Sequence, residues 1–289
     1  MSVPRRSFAL ALALQPGVGG RTVSRILARN DLLGVTPEEF LGLSAEALRE
    51  EYRLPRAVAE RLAAKGRAIL DESWEMEQTL DRRGVSWVCL ADVHYPRVVE
   101  AFDPDPPGAL FLYGNTRLLS VPTFAVMASR GGGPRTLDRI EALTQEGVLA
   151  SEVVVSGHDR PEYQRAAIVP LRWGAPRILV LDRGLFRALG DDLDQEPFAG
   201  ARLWRYKFDP QTDLVVSPVK PRAGFVGVSN QVRDRLVAAL AARVDFAHLA
   251  PGGTMEGIAK AALRAGRPVR VPPEAPDFDA LVSLGARSL

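Results

Sequence analysis

From about Gly84 onward, short apolar runs alternate with helix-like segments. No other feature of the chain limits its fold as tightly. "GVSWVCLAD", "TFAVMAS", "ASEVVVSG", "PRILVLDRG", "RVDFAHLAP" and "RPVRVPP" read as strands. "RTLDRIEALTQEG", closed by Gly147, and "RPEYQRAAIVPLRWG", "VSNQVRDRLVAALA" and "TMEGIAKAALRAG" show the apolar spacing of helices. "ARLWRYKFDP" and "DLVVSPV" are less regular. Near-continuous apolar strands separated by helices predict a mostly parallel sheet covered on both faces. The expected architecture is α/β and Rossmann-like, with ligands beyond the carboxyl ends of the strands.

Residues before this point read differently. "RSFALALAL", "GRTVSRILARN", "SAEALREEY" and "PRAVAERLAAKGRAILDESWEMEQTLDRR" carry helical periodicity throughout. Thr36-Pro37-Glu38-Glu39 marks a helix start: a capping hydroxyl, proline at the first position, then acids facing the helix dipole. Ser44 repeats the cap. Two domains are therefore expected, a small helical SAM/helix-hairpin-helix-like domain over residues 1–83 and an extended Rossmann-like domain over 84–289. "QPGVGGRTVSRIL" is a helix–hairpin–helix signature. Its glycines permit close backbone approach, and the amides of the next helix are suited to a DNA phosphate. The alternative use of these glycines is close packing of two helices.

Composition narrows the function classes. The chain has 289 residues, 46% hydrophobic and 25% charged, as in a globular rather than a disordered protein. "FALALALQ" is too short to span a bilayer and leads into "QPGVGG" without a small-residue cleavage site, so neither a membrane span nor a signal peptide is expected. One cysteine, Cys89, allows no internal disulfide, and three histidines far apart give no structural metal site. A cytoplasmic protein is expected. The net charge of +2 does not by itself establish nucleic-acid binding. No Walker A lysine motif occurs, and "GVGG" follows no strand, so no nucleotide cofactor is implied.

The ordered motifs resemble the DprA/Smf family of bacterial DNA-processing proteins. The strongest match is "YPRVVEAFDPDPPGALFLYGNTRLL", Tyr95 to Leu119, which fits the family's "YP…L…PP…L…GN…LL" entry segment. "PGVG" in the helical region also fits. Further on, "VMASRGGG" keeps Ser129 and Arg130 of "VGSR", and "VVVSGHDRPEYQRAA" keeps Ser156 and Gly157. "GVSNQVRDRLVAAL" keeps Asn230, although Ser229 stands where the family usually has arginine. "APGGTMEGIAKAALRAGRPVRVPP" keeps the last spacing, with Gly253 and Thr254 in the Ser-Gly region. The resemblance runs from about residue 8 to 273 and weakens in the ligand-facing loops. The residues after Pro273 are too few for the winged-helix domain many members carry.

The resemblance implies a protein without catalytic residues. It would bind single-stranded DNA during DNA uptake and recombination, pair with a second copy of itself and present DNA to a RecA-type recombinase. Arg130 is expected to contact phosphate, and Gly131, Gly132 and Gly133 to form an anion-binding nest; Pro134 removes one donor from it. Ser156 and Gly157 end a strand, and Arg160 and Arg165 are candidates for lining a groove. Asn230 and Arg233 open a helix whose amides favour phosphate, Arg233 standing in for the charge missing at Ser229. Gly252, Gly253 and Thr254 open the last such helix. Arg130, the glycines after it, Asn230, Arg233 and the turn at Gly252–Thr254 are expected to make one continuous anion-binding rim. A Ser156/His158/Asp159 triad is disfavoured by its close spacing.

Two other readings remain open. "PGGTMEG" is similar to the "PGGxGTxxE" motif of lysine-decarboxylase-like nucleotide-processing proteins, two residues shorter. That alternative makes the protein a nucleotide-binding or N-glycosidic-bond-cleaving Rossmann protein with Glu256 at its centre. The third reading is a paralogue that has lost DNA binding and acts through protein contacts.

Overall fold

The computed structural model describes residues 3–289. The chain divides into two compact units: one runs to Arg97 and includes Asp105–Phe111, and the other comprises Val98–Pro104 and Leu112–Leu289. The boundary expected at 83/84 thus falls inside the first unit.

The first unit holds helices α1 (Arg5–Ala13), α2 (Gly20–Leu33), α3 (Pro37–Leu41), α4 (Ala45–Glu50), α5 (Arg56–Lys65) and α6 (Ala68–Arg82), then strand β1 (Ser86–Cys89). The cap signals act as the sequence indicates. Thr36 Oγ1 accepts from Glu39 N, Glu39 Oε2 accepts from Thr36 N at 2.7 Å, and Ser44 Oγ accepts from Ala47 N at 3.2 Å. Gly34, with φ 67°, ends α2. Phe8, Phe40 and Tyr52 stack edge to face in the core, and Tyr52 donates to Asn30 Oδ1 at 2.7 Å. The Gly-Val-Gly-Gly turn serves packing. A Cβ on Gly20 would lie 1.9 Å from Pro106 O, and one on Gly19 4.0 Å from Asp105 Oδ1. At the helix start that resembled a DNA-phosphate site, Gly20 is buried against its own chain, while Gly19 is exposed.

Helix α7 (Arg97–Phe102) and strand β2 (Ala109–Gly114) carry the chain into the second unit. There follow β3 (Thr123–Ala128), α8 (Gly133–Leu149), β4 (Val153–Ser156), α9 (Pro161–Arg172), β5 (Arg177–Val180), α10 (Leu185–Leu189) and β6 (Leu214–Ser217). The unit closes with α11 (Ser229–Leu240), β7 (Arg243–His248), α12 (Thr254–Arg264), β8 (Val269–Val271), α13 (Phe278–Ser283) and β9 (Arg287–Ser288). The strands lie in the order β6-β5-β4-β3-β7-β8-β9, each pair parallel. Every residue of β3, β4, β5 and β6 is buried, as a sheet covered on both faces requires. Phe124, Val126, Val154, Ile140, Leu143 and Ala166 form one apolar cluster between the sheet and its helices. Gly147 does not close α8, which runs on to Leu149. It lies buried within the helix, where a Cβ would sit 2.3 Å from the Phe124 ring. No helix among the described residues is long and apolar enough to cross a membrane.

The strand order reverses direction between β3 and β7. Chain order runs outward from β3 through β4, β5 and β6 on one side, and through β7, β8 and β9 on the other. At such a switch point the loops after the two central strands diverge and leave a crevice.

Candidate functional site

The crevice at the switch point is a cavity of about 340 Å³, lined by Ser129 and Arg130 after β3, Arg160 before α9, Asn230 at the start of α11, and Gly253 and Thr254 at the start of α12. Five of the sequence-predicted residues therefore share one space. Ser129 fixes its floor. Its amide donates to His248 O at 2.9 Å, and its hydroxyl accepts from Ala250 N at 2.9 Å, so the loops after β3 and β7 are tied together.

Arg130 is exposed at the mouth, and among the described residues no carboxylate pairs with it. The first turns of α11 and α12 also open into the crevice, and helix amino ends carry unpaired amides and partial positive charge. The cavity's carboxylate, Asp234, is already occupied: it accepts from Tyr163 Oη at 2.5 Å and from Arg233 Nε at 2.8 Å. Arg130 thus adds an uncompensated charge beside two helix amino ends, an arrangement that attracts an anion.

Other expected residues are placed differently. Arg233 is fully buried, not on the rim. It pairs with Asp159 and Asp234, and its guanidinium lies 4.6 Å from the Tyr163 ring centre. Burial lowers its pKa, Asp234 opposes that, and the nearby charge of Arg130 lowers it further. A guanidinium held this way cannot replace the cation missing at Ser229. Ser229 itself is buried, and its hydroxyl accepts from Val226 N at 3.3 Å to pin the loop before α11. Ser156 donates to Tyr163 O at 3.0 Å and is fully buried. Gly157 is a packing position: a Cβ would meet Tyr163 at 2.8 Å and Arg233 at 3.1 Å. Arg165 reaches Glu141 at 2.7 Å and joins α9 to α8, away from the crevice. Arg160 lines the crevice, but it also donates to Ala128 O at 2.9 Å and lies 3.3 Å from Glu162. Its guanidinium holds the end of β3 as well as facing the cavity.

The glycines divide in a similar way. Gly131, before α8, and Gly133, its first residue, have φ of 89° and 70°, where left-handed backbone favours glycine. Gly132 O accepts from Thr136 Oγ1 at 2.8 Å, and a Cβ on Gly132 would meet that same oxygen. Across the crevice, Gly252 N donates to Glu256 Oε2 at 2.8 Å, and Gly253 N donates to Ala250 O at 3.3 Å. The turn before α12 therefore satisfies two amides internally, leaving the first turn of the helix as the part that opens into the cavity. Lys260 pairs with Glu256 and, with the Gly252 amide, holds its carboxyl below the ordinary glutamate pKa.

Ser156, His158 and Asp159 form no triad. Asp159 pairs with Arg233, and His158 Nε2 lies 3.8 Å from Asp182 instead. Burial pushes the pKa of His158 down to about 4 despite the nearby Asp182, so the ring is neutral at pH 7. Asn230 does not cap α11; Val228 holds that position, and Asn230 Oδ1 accepts from Gln231 N at 2.9 Å. Asp234 and Tyr163 escape sequence reasoning, because no local motif marks either one. Only the 71-residue separation closed by their hydrogen bond brings them together.

Comparison with known proteins agrees with this architecture. The solved structure of DNA processing protein A from Streptococcus pneumoniae superposes with a TM-score of 0.66 at 20% identity, covering 100% of this chain and 95% of that one. The Helicobacter pylori DNA processing protein A, solved to describe its single-stranded DNA binding mode, superposes with a TM-score of 0.53 at 20% identity, over 71% of this chain and 90% of that one. At this identity the likeness shows a shared fold. No curated protein matches the chain in sequence. The family model for DNA recombination-mediator protein A matches residues 86–287, most of the chain, and the protein belongs to that family.

Proposed function

We propose that the protein binds single-stranded DNA through the switch-point crevice and acts in DNA uptake and recombination. The observation that carries this reading is the unpaired Arg130 beside the amino ends of α11 and α12. Family membership supports it, as does the single-stranded DNA binding reported for the Helicobacter pylori protein. Phe225, Val226 and Val228 stand exposed in the loop that leads into Asn230 and offer bases an apolar surface on which to stack. A strand would lay a phosphate between Arg130 and the two helix ends, with Asn230 and Thr254 as polar contacts. A cytoplasmic setting, a second copy of the chain and a RecA-type recombinase as partners complete the proposal; they rest on the family's recombination-mediator role.

The nucleotide-cleaving reading needs a free carboxylate in the crevice. Glu256 is bound to Lys260 and the Gly252 amide, and Asp234 to Arg233 and Tyr163, which favours binding over catalysis. The test is fluorescence-polarisation titration of the full chain with single- and double-stranded DNA at two salt concentrations. The expected result is preference for the single strand, with affinity falling steeply as salt rises. Absence of binding at the lower salt would instead favour a paralogue acting through protein contacts.

A further inference from the structure

A second cavity, of about 360 Å³, lies at the other end of the same sheet, where β7, β8 and β9 begin. Four arginines line it: Arg243, Arg267, Arg270 and Arg287. Two of them are neutralised by neighbours. Arg243 pairs with Glu152 at 2.5 Å and with Asp245 at 3.2 Å; Arg270 pairs with Asp245 at 2.7 Å and with Glu146 at 2.7 Å. The other two are not. Among the described residues no carboxylate pairs with Arg267 or Arg287. Arg267 donates instead to the carbonyls of Ala241 and, at 3.4 Å, Val98, and its guanidinium stands 5.3 Å from the Phe102 ring centre.

We propose that this cavity is an anion site for a phosphate monoester, with the phosphate held between Arg267 and Arg287. Carbonyls orient a guanidinium but do not cancel its charge. Taking a cation out of water without a counter-anion is costly, and an external anion removes that cost. The lowered pKa of Arg267, caused by burial alone, reflects the same imbalance. The planar arginine fork matches phosphate oxygens in pairs, and two unpaired arginines balance the near-dianionic charge of a monoester. The remaining wall is apolar, with Leu263, Pro268 and Leu284 available to the organic part of the ligand. Gly266 and Gly285, at φ of 71° and 106°, also line the cavity, and a Cβ on either would meet nothing within 4 Å, so the space beside them is open. The volume is that of a small-molecule site. The site stands apart from the switch-point crevice, because Ser129 and Gly253 follow the carboxyl ends of β3 and β7 while Arg243 begins β7. The phosphate can belong to a free mononucleotide or to the 5′-phosphorylated end of a nucleic-acid strand; both are monoesters.

The test uses the full chain carrying Arg130→Ala, which weakens the crevice, titrated by calorimetry with deoxyadenosine monophosphate, deoxyadenosine and a 5′-phosphorylated thymidine oligomer. The expected result is binding of the monophosphate or the oligomer, no binding of deoxyadenosine, and a loss of about tenfold or more when Arg287→Glu is added. The ligand that responds identifies the source of the phosphate. Arg287 is exposed, so Arg287→Glu should leave the fold intact, and a melting curve checks this. Arg267→Lys keeps the charge but removes the fork, and is expected to weaken the same ligand. Unchanged isotherms on Arg287→Glu, or no binding of either phosphate ligand, would overturn the proposal.

Discussion

Arg130 and Arg233 look alike in the sequence. Each stands near the start of a helix on the ligand side of the sheet, and each is a candidate phosphate contact. In the structure they have opposite settings. Arg233 is fully buried and paired with two aspartates, whereas Arg130 is exposed and, among the described residues, has no carboxylate paired with it. The difference is set by Asp159, which lies 74 residues from Arg233 in sequence. An arginine is available to an external anion only where the fold brings it no internal one. Arg233 then acts as part of the support beneath the crevice, and Arg130 as its free charge.

Removing the supporting arginine should produce the largest effect. Arg233→Ala leaves Asp159 and Asp234 without their cation in a buried setting and is expected to cost about 3–5 kcal/mol of folding stability. Chemical denaturation measures this. Arg130→Ala in the same assay should change stability by less than about 0.5 kcal/mol. Equal losses from the two substitutions would erase the distinction between them.

The next effect is a pH dependence from the same inner layer. His158 has a folded pKa of about 4, below the ordinary histidine value of about 6.5, because it is buried. The unfolded chain therefore binds more protons than the folded one between those values. Stability from this group is fully present above about pH 6.5 and is lost as pH falls towards 4, by roughly 3 kcal/mol at most. Asp182, Arg183 and Arg233 face the ring and modulate the shift. Melting temperatures of the wild type and His158→Asn between pH 7 and pH 4.5 isolate the contribution. The variant should show a shallower decline; parallel declines would mean that His158 is not held neutral.

Much of the fold was legible because it depends on local pattern. Apolar runs alternating with helical spacing indicated the parallel sheet, and the Thr36 hydroxyl before Pro37 marked a helix start. The crevice was legible in part, since Arg130, Asn230 and Thr254 sit at strand and helix ends that topology brings together. The use of each glycine was not legible. Gly20 and Gly147 carry no side chain because Pro106 and Phe124 occupy the space, and Gly252 donates to Glu256 within its own turn. A glycine turn that could hold a phosphate and one that has already satisfied its amides read identically until the neighbours are placed. Ser229 shows the same limit. It stands where the resemblance leads one to expect an arginine, and the sequence offered Arg233 as compensation, but Asp159 and Asp234 hold that side chain inside.

The central claim is that Arg130 is the free cation of the crevice, and it is tested most directly by titrating a thymidine oligomer against wild type, Arg130→Ala and Arg165→Ala across a range of salt. Arg130→Ala should weaken binding about tenfold and reduce the salt slope by about one. Arg165→Ala removes a cation already paired with Glu141 and should leave both affinity and slope nearly unchanged. Equal losses from the two variants, or an Arg130→Ala protein that binds like wild type, would contradict the account.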